Sequence, residues 1–94
     1  MQVMLKDTRC LDIHDMRVNT HDDLDFSDTV VRFAAAHGKL VVATTAQCKA
    51  FPLGSSFSAA AATATVDVSH SLVQHIALAP AAFCLLLSGI GLQV

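Results

Sequence analysis

The sequence predicts a small α+β module carrying a C-terminal apolar helix, and three observations predict it. Residues 72–94 contain no Lys, Arg, Asp or Glu. Residues 27–37 read as a capped helix ending in His-Gly, and residues 39–45 and 62–71 carry β-branched or alternating patterns. Together these give helix 27–37 packed on strands at about 39–45 and 62–71.

From Gln2 to Val18, apolar Val3 and Leu5, then Cys10, Leu11 and Ile13, are separated by Lys6, Asp7, Thr8 and Arg9, which predicts one or two short strands. Asn19 to Asp25 is dominated by turn-forming polar residues and reads as a surface loop. Ser27 or Asp28 then stands at an N-cap position. Val30, Val31, Phe33 and Ala34 to Ala36 follow, and His37 and Gly38 supply a C-terminal stop. Lys39 to Thr45 is apolar and β-branched, so it reads as a strand buried on at least one face, giving half of a βαβ unit. Pro52, Gly54, Ser55, Ser56 and Ser58 interrupt regular structure and predict a hinge anchored by Phe51, Leu53 and Phe57. Beyond it, Ala62, Ala64, Val66, Val68, His70 and Leu72 alternate with polar residues, the signature of a strand with one half-buried face.

The segment from Leu72 to Val94 divides the chain into residues 1–71, the α+β module, and residues 72–94, an apolar helix. About 20 apolar residues are what a helix needs to cross a bilayer, and each large aliphatic side chain gains roughly 1.5 to 3 kcal/mol by leaving water. The predicted helix, kinked or begun at Pro80, therefore spans a membrane or docks as a subunit-interface helix. With no apolar leader near its N-terminus, the protein is expected to be intracellular or membrane-associated, and not secreted.

Composition narrows the function classes. Hydrophobic residues are 53 % of the chain and charged residues 15 %, against roughly 25 % charged in ordinary soluble domains. That surplus of apolar surface points to partners: a homo- or hetero-oligomer, or a membrane. A net charge of −2 and six scattered basic residues disfavour nucleic acid. Cys10, Cys48 and Cys84 are too far apart for a metal knuckle and are read as reduced thiols.

Six of the eight Asp fall between Asp12 and Asp28, interleaved with His14 and His21. Clustered carboxylates need compensating charge, and His with Asp suits a divalent ion. His14, Asp15, His21, Asp22, Asp25 and Asp28 are therefore the candidate ligands, with a divalent metal as the candidate cofactor. His75, the one histidine of the tail, is a candidate proton relay or haem or pigment ligand if it lies at membrane depth. The stretch DFSDTVVRFAAAHGKLVVATT, Asp25 to Thr45, resembles the PIN-domain ribonuclease segment in which an acidic residue opens a helix ending in His-Gly before a parallel strand. The resemblance implies that Asp25 or Asp28 would hold magnesium, although Ala46 or Gln47 stands where the next acidic residue belongs.

Two functions follow as expectations. The first is a non-catalytic structural or accessory subunit that assembles through its apolar C-terminal segment. The second is a divalent-metal-dependent hydrolase or nuclease using residues 12–28.

Overall fold

A computed structural model describes residues 1–53, 62–69, 71–87 and 90–94. Every regular element in them is a strand, and the strands form three antiparallel sheets. The first holds β1 (Gln2–Asp7), β2 (Cys10–Asp15) and β3 (Thr20–Asp25). The second holds β4 (Val30–Ala36), β5 (Lys39–Thr44), β6 (Gln47–Pro52) and β7 (Ala64–Asp67). The third holds β8 (Val73–Leu78), β9 (Phe83–Leu87) and β10 (Ile90–Gln93). Within each sheet the strands follow chain order.

The expected α+β fold is thus replaced by an all-β one, and the helix at 27–37 is where the sequence misleads first. Residues 30–36 pair antiparallel with β5, from Val30 opposite Thr44 to Ala36 opposite Lys39. The His-Gly stop is a two-residue hairpin turn: His37 has φ 53° and Gly38 φ 70°. Positive φ at both central positions belongs to the tight turns whose twist matches that of paired strands. The signal used at a helix C-terminus is therefore also the one that closes a hairpin. With β4 antiparallel to β5, the expected βαβ half-unit gives way to a hairpin.

The apolar tail is not a helix either. It divides into three short strands, and Pro80 lies in the connection between β8 and β9, which is closed by the Ala79 N–H donating to the Ala82 carbonyl at 2.9 Å. Residues 88 and 89, the small-residue pair before β10, lie outside the described residues. Side chains alternate: Val73, Ile76, Phe83 and Leu85 are buried within this same chain, while Cys84 and Leu86 face outward. Among the described residues no helix is long and apolar enough to cross a membrane.

Elsewhere the sequence reading stands closer to the structure. The N-terminal strands are present, the apolar stretch at 39–45 forms β5, and Ala64, Val66 and Val68 pack inward while Thr65 and Asp67 are exposed. The expected loop at 19–25, however, is largely β3, with Asn19 at φ 53° closing the turn before it. Part of the expected hinge is β6, in which Phe51 is buried; Phe57 and His70 lie outside the described residues.

The three sheets stack face on face, and β5 shows how. Leu40, Val41, Val42 and Ala43 are all completely buried. Successive side chains of a strand point to opposite faces. Leu40 and Val42 accordingly join Leu11, Ile13 and Leu24 of the first sheet and Phe51 of β6, whereas Val41 and Ala43 join Val73, Ile76, Phe83 and Leu85 of the third. A strand covered on both sides reads as an unbroken apolar run, which is why KLVVATT lacks a polar face.

Candidate functional site

The Asp- and His-rich segment builds a polar outer face on the first sheet, and strand alternation decides which residues meet. Asp12 lies opposite Asp23 and His14 opposite His21 across the β2–β3 pair. The His14 and His21 rings stack with centroids 4.0 Å apart and planes 9° from parallel. His21 donates Nδ1–H to the Asp12 carboxylate at 3.0 Å, and His14 donates Nε2–H to Asn19 Oδ1 at 3.0 Å. Lys6 reaches across from β1 and donates to both Asp23 oxygens at 3.0 Å. That carboxylate holds the Lys6 ammonium above its ordinary range, first by hydrogen bonding and then by charge.

The other candidate ligands are distributed elsewhere. Asp22 takes the register position opposite Ile13, on the reverse face of the sheet from the histidine pair. Asp15, at the end of β2, is clamped by Arg17, whose Nε and Nη2 donate to its two oxygens at 3.1 and 3.0 Å and whose backbone N–H adds a third bond at 3.1 Å. This fork holds the Asp15 carboxyl below the usual carboxylate range. Asp25 lies opposite Cys10, whose thiol is pushed up to about 11 by burial first and then by its hydrogen bond to Asp25. Asp28 lies on the β3–β4 connection. Among the described residues no three His, Cys or acidic side chains come together in a way that could hold a metal ion. A PIN-like magnesium site would also need a helix after Asp28 and a parallel strand, and this chain has a hairpin in their place.

His75 is exposed on β8, opposite Leu86, at the outer face of the third sheet. Cys84 shares that face. Cys48 is enclosed between the second and third sheets, where burial pushes its thiol up to about 11.

The repeating unit is the sheet itself. β4 and β8, the first strands of the second and third sheets, lie side by side, and 43 positions separate Val30, where β4 opens, from Val73, where β8 opens. Four-stranded meanders stacked face on face, with a repeat of roughly 40 to 45 residues, are how propeller blades are built. The family model described as the IFT80 second beta-propeller matches residues 1–94, the whole chain. The chain belongs to that family. No curated protein matches it at a meaningful level. In propeller terms the second sheet is a four-stranded blade, β4 to β7, flanked by the three described strands of a blade on either side.

Membership of a propeller family explains the surplus of apolar residues that composition registered. A blade in a stack has two faces to bury where an ordinary half-exposed antiparallel sheet has one. The residues that sequence reasoning overlooked lie at a cleft beside the β3–β4 connection, lined in part by Phe26, Ser27, Thr44, Gln47 and Lys49. No motif announces it, because its walls come from two neighbouring blades.

Proposed function

We propose that this chain serves as a non-catalytic scaffold, a run of propeller blades that assembles with other protein subunits. The observation that carries this reading is the double burial of β5 between two further sheets: the polypeptide is spent on flat surfaces that stack, and its family is a propeller family. The surface for assembly is the outer face of the third sheet, where Leu72, Cys84 and Leu86 are exposed on or beside β8 and β9. This keeps the apolar C-terminal segment as the assembling part, now as strands.

Sedimentation of the purified chain across a concentration series, beside the Leu86→Asp variant, tests the reading. Association that the variant abolishes, with an unchanged thermal melt, supports it. A cooperatively folded monomer at all concentrations would overturn it.

A further inference from the structure

The cleft beside the β3–β4 connection has a shape and a lining that select one kind of occupant. Its volume is about 140 Å3, well below the roughly 300 to 1,000 Å3 of clefts that hold whole small-molecule ligands. A single long side chain is the scale that fits. Leu24, Phe26 and Phe51 form its apolar part, with the two phenyl rings edge to face at a centroid distance of 6.4 Å. Asp25, Ser27, Asp28, Thr44, Gln47 and Lys49 form its polar part. Two Asp and one Lys line it, so the balance of charge is negative; Asp25 also accepts from the Cys10 thiol, and among the described residues neither carboxylate is ion-paired with Lys49.

The walls are fixed before anything binds. The Phe26 N–H donates to the Arg9 carbonyl at 2.8 Å and the Val30 N–H to the Thr8 carbonyl at 2.8 Å, tying the connection to the first sheet. The Thr45 N–H donates to the Thr29 carbonyl at 3.1 Å, tying it to the second. On the facing wall Thr44 Oγ1 donates to the Gln47 carbonyl and accepts from the Gln47 N–H, both at 3.1 Å. A site held in place this way loses little freedom on binding.

We propose that this cleft receives an arginine side chain from a partner protein. The guanidinium is planar, stacks on aromatic faces and presents donors that match carboxylates, while its three-methylene stem suits an apolar wall. Phe26 and Phe51 take the stem and the face of the guanidinium; Asp28, and Asp25 beside it, accept its N–H groups. Buried arginines are among the side chains that dominate protein interfaces, so one such anchor gives a scaffold a specific grip. The inference rests on the scaffold reading above.

Titration of the isotope-labelled full chain with N-acetyl-arginine methylamide, followed by amide NMR, tests it. Saturable shifts confined to residues lining the cleft, Thr44, Gln47 and Lys49 among them, are expected, with an affinity about tenfold weaker in Asp28→Asn. An uncharged norleucine analogue should leave those amides unmoved. An equal response to norleucine, an unchanged affinity in Asp28→Asn, or no saturable shift at the cleft would each overturn the proposal. Because the probe is a small molecule, such a result leaves the sedimentation test of scaffold assembly untouched, and the two readings fail separately.

Discussion

Val41 and Val42 are consecutive residues, both fully buried, yet Val41 packs against the third sheet and Val42 against the first. Among the described residues, one peptide bond separates the two hydrophobic cores. This arrangement makes the energetics of the two cores separable by mutation.

Leu40→Ala should cost about 2 to 5 kcal/mol, a large share of the roughly 5 to 15 kcal/mol that holds a domain together. Leu11 shares its core and Leu85 does not. Denaturant melts of the double variants should therefore show Leu11→Ala and Leu40→Ala coupled by roughly 0.5 to 3 kcal/mol. Leu40→Ala and Leu85→Ala should add to within about 0.5 kcal/mol. Equal coupling in both pairs would mean that the two cores are one.

The β4–β5 turn gives a second prediction. A Cβ at Gly38 would meet nothing within 4 Å, so Gly38→Ala is penalised by its positive φ alone, at about 1 to 2 kcal/mol. His37→Asn creates the Asn-Gly pair that such turns favour and should stabilise by roughly 0.5 to 1 kcal/mol. At roughly 4 to 8 °C per kcal/mol for a chain of this size, thermal melting resolves both.

Acid should loosen the turn between β2 and β3. The Asp15 carboxyl is held below its ordinary range by Arg17, so its folded value lies beneath its unfolded one of about 3.9. The stabilisation is then present above the unfolded value and is lost as pH falls through the folded value. The raised Arg17 guanidinium works in the opposite direction: its contribution is present at and below neutral pH and is lost only as pH rises into the strongly alkaline range. In melts at pH 7, Asp15→Asn should be less stable than the parent, and the difference should shrink as pH falls below the unfolded value and through the folded one. A difference that persists unchanged in acid would rule out this ion pair as its origin.

Thiol chemistry should discriminate among the three cysteines. Cys84 is exposed, whereas Cys10 and Cys48 are buried with thiols pushed up to about 11. Alkylation at pH 8 under native conditions should modify Cys84 first, read as a single adduct by peptide mass spectrometry. Early labelling of Cys48 would show that the second and third sheets separate readily.

The strands that replace the helices expected at 27–37 and 72–94 escaped the sequence, together with their pairing. The apolar run at 39–45 and the alternation around Val66 were legible because a strand's burial pattern is local. Val30 to Ala36 was not, since VVRFAAA satisfies a helix as readily as a strand and the His-Gly that follows serves both. The tail failed similarly: over a short window an apolar run carries no period, and only Pro80 hinted that it turns back on itself. The available clue was the recurrence of an apolar segment, a turn signal and a second apolar segment, first from Val30 to Thr44 and again from Val73 to Leu87. The Asp-rich segment was visible as composition, but its division between two sides of a sheet depends on register, which a list of residue types does not encode.

The molecule has two unlike ends. One is the Lys6, Asp12, Asp23 and paired-imidazole surface, which stays favourable only while hydrated; the other is the greasy side of β8 and β9. Were one copy to add to the next in that head-to-tail sense, the aspartates would be stripped of water against Leu86, with His75 beside it as one polar group against several carboxylates. Unlimited fibre growth by that contact is thereby discouraged, and the blade run acquires a polarity.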